Sequence, residues 1–190
     1  MPKKKKAYDK IPSYRKYDSE DDNKIIDPDD DPRNMFTKQW KFFTREQWGA
    51  KPGFAHRPLH TPVRKLRVIY DLNMDRCTVT KTCKKIVFGI QRRHLHLGWP
   101  DINLNFVIAG DGNVYEGLGW TKKIIRLPHH SLETGNTLAI GCIGRYNRLT
   151  LPRRIKKTLD LFIKKSVEDG YIVKEIFNGE FWRIKQSCKL

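Results

Sequence analysis

The short run Asn105-Phe106-Val107-Ile108-Ala109 leads directly into Gly110-Asp111-Gly112-Asn113-Val114-Tyr115-Glu116-Gly117-Leu118-Gly119-Trp120. A β-prone stretch stopped by Gly-Asp-Gly predicts a strand entering a tight hairpin turn, with Val114–Gly117 as the returning strand. A lone Asp-Gly-Asn turn would fit many folds. The constraint comes from the elements on either side of it.

Leu66-Arg67-Val68-Ile69-Tyr70 is rich in β-branched and aromatic residues and predicts a central strand, deep in a sheet. From Thr80 to His94, the residues Cys83, Ile86, Val87, Ile90 and His94 recur at spacings of three and four, the period of a helix with one buried face. Leu138–Gly144 supplies a further strand. Pro152 then opens a second helix whose apolar stripe is Ile155, Leu159, Phe162, Ile163 and Val167 and whose end is marked by Gly170. These elements predict an α/β fold, a central mixed β-sheet flanked by helices. No internal repeat interrupts the pattern.

The chain has 190 residues, 38% of them hydrophobic, enough for one core. Residues 1–40 hold the lysine run Lys3-Lys4-Lys5-Lys6, acidic stretches around Glu20-Asp21-Asp22 and Asp29-Asp30-Asp31, several prolines and few aliphatics; they are expected to be a disordered charged tail ahead of one domain, 41–190. Lys and Arg number 10 against 9 Asp and Glu in residues 1–40, and 28 against 12 in residues 41–190, so the domain carries +16 of the net +17. Such a field favours acidic partners: anionic cell-wall polymers, carboxylate-bearing peptides, membrane surfaces or nucleic acid. No stacking platform or nucleic-acid motif accompanies the charge, so nucleic acid is not the expected partner. No apolar run reaches the roughly 18 residues of a membrane span, and MPKKKK lacks the apolar segment of a secretory signal. As written, the chain is expected to be intracellular.

Five further groups of residues sharpen the picture. Upstream of the hairpin stand Phe43-Thr44-Arg45-Glu46-Gln47-Trp48-Gly49-Ala50-Lys51-Pro52, then Cys77 and Cys83, then Ile90-Gln91-Arg92-Arg93-His94 and Gly98-Trp99-Pro100-Asp101-Ile102. Downstream stands Thr137-Leu138-Ala139-Ile140-Gly141-Cys142-Ile143-Gly144-Arg145-Tyr146. In order and approximate spacing, this set closely resembles the peptidoglycan recognition proteins, animal relatives of phage-type zinc N-acetylmuramoyl-L-alanine amidases. The resemblance covers roughly residues 42–175 and implies the amidase type 2, peptidoglycan-recognition-like fold. It also implies a Cys77–Cys83 disulfide at the start of the first long helix. Disulfides belong to oxidising compartments, which conflicts with the missing export signal and leaves the compartment open.

Amidases of this type hold zinc with two histidines and a cysteine and keep one position open for the attacking water. The resemblance places the first histidine at Tyr70, and a phenol, titrating near 10, is a poor zinc ligand at neutral pH. Asp71 beside it is expected to point to the opposite face of the strand. The second histidine falls on His129, with His130 adjacent. The cysteine motif is not recognisable in Phe177–Leu190, where Cys188 lacks the following Pro-Gly. The tyrosine that assists catalysis in the family is replaced by Leu104, in Asp101-Ile102-Asn103-Leu104-Asn105-Phe106. Loss of one oxyanion donor alone typically costs about 10²–10³ in rate.

The expectation is therefore a non-catalytic member without cofactor or metal. Tyr70 and Leu104 are its degenerate zinc and catalytic positions. Its groove residues are Gly98, Trp99, Asn105 and His129. In the family, the Gly98-Trp99 pair goes with preference for diaminopimelate-type stem peptides, with Trp99 as an apolar plate and the basic domain neutralising the extra carboxylate. The expected partners are bacterial peptidoglycan or muropeptides, or another peptidoglycan receptor or signalling protein. An amidase with unorthodox zinc ligands and a basic module for anionic polymers stand as alternatives.

Overall fold

The computed structural model describes residues 40–54, 56–125, 136–147 and 150–176. In chain order the elements are β1 (Phe42–Phe43), β2 (Lys65–Ile69), α1 (Thr80–His96), β3 (Phe106–Ile108), β4 (Val114–Glu116), β5 (Thr137–Cys142) and α2 (Arg153–Glu168), with short 3₁₀ turns at Glu46–Trp48 and Lys174–Ile176. The strands form one mixed sheet in the order β1-β4-β3-β5-β2. Only the β3–β4 hairpin is antiparallel; β1 with β4, β3 with β5 and β5 with β2 run parallel.

The sheet is sandwiched between the helices. Leu66, Val68, Phe106, Ile108, Val114, Leu138 and Ile140 pack under α2 with Ile155, Leu159, Phe162 and Ile163. Val107, Ala109, Tyr115 and Ala139 face Cys83, Ile86, Val87 and Ile90 of α1. The expected central strand needs correction. β2 lies at the end of the strand order, paired with β5 alone among the described strands. Its alternation explains this: Leu66 and Val68 are buried while Lys65 is exposed, the pattern of a strand covered on one face. The strands buried throughout are β3 and β5.

Both helices stop by the same device. Gly98 (φ +80°) follows α1 and Gly170 (φ +78°) follows α2. Each donates its N–H back into the last turn, Gly98 to the Leu95 carbonyl and Gly170 to that of Val167. The next residue reaches one carbonyl deeper, Trp99 to His94 and Tyr171 to Ser166. This is the Schellman arrangement, and its left-handed residue is glycine because a Cβ is disfavoured there. At the other end of α1, Cys77 and Cys83 are disulfide-bonded.

The segment before β2 is fastened through one buried carboxylate. Asp101 accepts hydrogen bonds from Arg45 Nη2 (2.8 Å), Gln91 Nε2 (2.7 Å) and the Ile102 N–H (2.6 Å). Arg45 also donates to the carbonyls of Gly117 and Lys51, and Gln91 pairs with both the N–H and the carbonyl of Lys51. A buried ion pair is costly to break on one side, because the remaining charge keeps its desolvation penalty. Arg45→Met is expected to lower unfolding free energy by about 2–4 kcal/mol, measured by urea denaturation; a loss no larger than that of a neighbouring surface lysine change would refute the role.

Candidate functional site

The hairpin that marks the sequence spends its polar side chains on itself and on its neighbours. Asp111 Oδ1 accepts from the Asn113 N–H (3.1 Å), and its Oδ2 accepts from Asn113 Nδ2 (2.8 Å) and the Tyr115 hydroxyl (2.6 Å). Asn113 Oδ1 accepts from the Lys41 N–H, fixing β1 beside β4. The backbone carbonyl of Glu116 takes the Trp48 indole N–H. The string is thus a structural signature with its hydrogen-bonding capacity directed inward.

Asn105, expected among the ligand-binding residues, is a structural strut instead. It is fully buried. Its Nδ2 donates to the carbonyls of Gly119 (2.8 Å) and Lys122 (2.9 Å), and its Oδ1 accepts from the Ala139 N–H (2.9 Å). Both donors and the acceptor serve the chain, which leaves the amide little to offer a ligand. Asn103, two residues earlier, holds the same segment through the Ile125 N–H and carbonyl. Sequence reasoning passed over Asn103; its only signal was an asparagine repeated at spacing two in a buried stretch.

Gly98 and Trp99 are placed by the helix stop. Trp99 is 6% exposed, and its ring lies 4.3 Å from that of His94, centroid to centroid. The contact joins the residues flanking the Schellman turn, where a hydrophobic pairing is usual. The expected apolar plate is a ring largely covered by its neighbours, and its buried indole N–H has no hydrogen-bond partner among the described residues. His94 accepts the Asn103 N–H at Nδ1 (3.0 Å). Burial, reinforced by Arg93 and opposed by Asp101, pushes its pKa down to about 3. His94 is a neutral imidazole with its acceptor already used. His56, near Asp101 at 3.9 Å, is shifted in the same direction, mainly by burial.

Tyr70 and Leu104 do not meet. The Tyr70 ring packs against the α2-side core, and its carbonyl accepts the Tyr146 N–H. Leu104, 2% exposed, belongs to the α1-side core. In the same cluster stands Leu72, from the turn after β2, which sequence reasoning missed. A Cβ added to Gly141 would lie 2.9 Å from Leu104 Cδ1 and 3.0 Å from Leu72 Cδ1. Two aliphatic side chains thus converge over the one glycine of β5. Alternation along β2 would have put Leu72 on the Tyr70 side. The turn at Asp71–Asn73, with Asp71 Oδ1 accepting the Asn73 N–H and Asn73 at φ +51°, breaks that period.

These described positions do not fit zinc. Leu72 and Leu104 carry no donor, Tyr70 faces the other core, and no group of three His, Cys, Asp or Glu among the described residues could hold a metal. Cys142 is a buried thiol pushed up to about 12 by burial, inert at neutral pH. His129, His130 and Cys188 lie outside the described residues.

No family model matches the chain. Rat peptidoglycan recognition protein 1 is 33% identical over 132 residues, which covers 67% of this chain and 69% of the relative. Mouse peptidoglycan recognition protein 3 is 32% identical over 130 residues, 68% of this chain but 36% of the relative, so the chain spans about a third of that protein's length. Among solved structures, bumblebee PGRP-SA matches with a TM-score of 0.64 at 23% identity, covering 72% of this chain and 80% of that one. A Drosophila PGRP-LB mutant in complex with tracheal cytotoxin matches with a TM-score of 0.62 at 25% identity, covering 70% and 78%. The chain belongs to the peptidoglycan recognition protein family.

The buried imidazole gives a pH prediction. Folding lowers the pKa of His94, so protonation favours the unfolded chain; its contribution is whole above pH 6.5 and is lost as pH falls from there towards 3. Below pH 6.5 the stability of the wild type is expected to fall more steeply than that of His94→Gln, whose amide oxygen can still accept from Asn103. The difference in slope approaches about 1.4 kcal/mol per pH unit. Parallel slopes in urea titrations across that range would remove His94 as the cause.

Proposed function

We propose that this family member binds bacterial peptidoglycan fragments, or pairs with another peptidoglycan receptor or signalling protein, without cleaving the polymer, and thereby tunes innate immune signalling. The observation that carries the reading without catalysis is the placement of Leu104, with Leu72, over Gly141. The position resembling the family's catalytic tyrosine is filled by an aliphatic side chain that neither binds metal nor donates to a developing oxyanion. Fragment binding is supported by family membership and by the PGRP-LB mutant of matching fold, which was solved with tracheal cytotoxin. Preference for diaminopimelate-type stem peptides rests on the Gly98-Trp99 pair and on the positive charge of the domain. An amidase using His129 and Cys188 is the second reading, motivated by the histidine retained in the expected place.

One experiment separates these readings. Purified full-length chain is incubated with insoluble diaminopimelate-type and lysine-type peptidoglycan, and the same sample is assayed for bound metal and for released stem peptide. The expected result is sedimentation with the diaminopimelate polymer, no stoichiometric zinc and no release. Release together with stoichiometric zinc would establish the amidase, and failure to sediment with either polymer would leave only the protein-partner role.

A further inference from the structure

Helix α1 carries five basic residues, Lys81, Lys84, Lys85, Arg92 and Arg93, and no acidic one. Lys81, Lys85, Arg92 and His96 are exposed, and their spacings of four, seven and four residues place them on one stripe away from the buried face. The stripe runs about 17 Å from Lys81 to Arg92 at 1.5 Å per residue. Lys84 stands at its edge, with its ammonium 4.3 Å from the centre of the Phe43 ring. Lys81, Lys85 and Arg92 have no hydrogen bond, ion pair or ring contact among the described residues. The nearest acidic residues in sequence, Asp75 and Asp101, lie outside the helix, and Asp101 is committed to Arg45. The cations of α2 are placed differently: Lys165 pairs with Asp169, Asp160 lies close enough to Lys156 to feel its charge, and Arg153, Lys156 and Lys157 are already engaged.

The sign that α1 lacks is present in the same chain. Residues 18–31 hold eight acidic residues and one lysine, a net −7, while residues 1–17 hold seven basic residues and one acidic. The near-neutral total of residues 1–40 thus hides two blocks of opposite charge, and the acidic block is the one nearer the domain. Asp31 precedes Phe42 of β1 by eleven residues, a reach of up to about 36 Å at 3.3 Å per residue. That exceeds the length of α1, about 26 Å for its 17 residues. β1 also lies beside α1, since Phe43 supplies the ring beneath Lys84.

We propose that the acidic block, residues 18–31, docks on the exposed stripe of α1 and is a built-in competitor for acidic ligands of that face. The proposal goes beyond peptidoglycan recognition and does not depend on it. A tethered segment meets the face at an effective concentration on the order of millimolar, which an acidic partner from solution has to outcompete. The first turn of α1 holds Lys81 and no acidic residue, so carboxylates there answer the positive end of the helix dipole as well as the side chains. On α2 the same block would meet Asp160, Glu168 and Asp169, which repel it. Each exposed pair is weak alone and screened by salt. The docking is therefore carried by many carboxylates facing a few cations, and it is a cover that ionic strength loosens.

The test treats the full-length chain, as a mixture of unlabelled and isotope-labelled forms, with a water-soluble carbodiimide that joins carboxylates to lysine amines in contact with them, and maps the links by mass spectrometry. Links from residues 18–31 are expected within single chains and on Lys81, Lys84 and Lys85, several-fold more than on Lys156, Lys157, Lys164 and Lys165. Arg92→Gln removes a charge but no reacting amine, and it is expected to lower the α1 links about threefold, with the thermal midpoint retained as evidence of folding. A second measurement follows binding of inorganic polyphosphate. Changing Asp27, Asp29, Asp30 and Asp31 to Asn is expected to tighten it about fivefold by weakening the tethered competitor, and that gain is expected to vanish when Lys81, Lys85 and Arg92 are also changed to Gln. Links spread evenly over both helices, or running mainly between chains, would overturn the proposal. So would undiminished links in the Arg92→Gln chain, no gain in polyphosphate binding from the Asn changes, or a gain that persists without the α1 cations.

Discussion

A carboxylate with no solvent exposure is tolerable only when its oxygens are occupied by donors that cannot drift away. Asp101 meets that condition with a guanidinium, an amide and a backbone N–H. Each donor comes from a different part of the chain: Arg45 from the turn after β1, Gln91 from α1, and Ile102 from the start of the stretch that becomes β3. Arg45 continues to the Gly117 carbonyl at the exit of the hairpin, so one side chain joins the beginning of the domain to its most recognisable motif. Because α1 and the 101–105 segment are fixed together here, the Asn103 N–H meets His94, and Asn105 reaches both the strap after the hairpin and β5. The polar interior is thus one connected construction.

That construction explains what a family groove can and cannot be in this chain. Asn105, His94 and the hairpin's Asp111, Asn113 and Tyr115 satisfy one another or the backbone, and Leu72 and Leu104 stand over Gly141. Polar groups already spent inside the protein cannot be spent again on a ligand without leaving a buried partner unsatisfied. The recognition proposed above therefore falls to the rim of the domain and to its charge.

Much of the fold was legible because its signals are local. The hairpin turn, the α1 period, the Pro152 start and the Gly170 stop each act within a few residues, and all four stand where the sequence predicts them. What escaped depends on pairing. β1 is two residues long and exists because Val114 offers a parallel partner to Phe42, which no property of Phe42-Phe43 announces. β2 reads as central because its residues are apolar, yet strand order is set by connections between distant segments. The separation of Tyr70 from Leu104 was hidden for a related reason. Alternation holds only while a strand continues, and the Asp71–Asn73 turn lets Leu72 cross to the other face.

The strap between Gly119 and Ile125 is held at main-chain atoms. Asn105 takes the carbonyls of Gly119 and Lys122, and Asn103 takes both backbone groups of Ile125. An attachment of this kind is blind to the side chains it carries. Positions such as Thr121, Lys122 and Lys123 are consequently open to drift in sequence while the path of the strap stays constant, since the two asparagines and the main chain of Arg57 and Leu59 hold it there by backbone groups. Relatives with this strap in the same place and a different set of side chains on it could differ in what they touch without differing in how they fold.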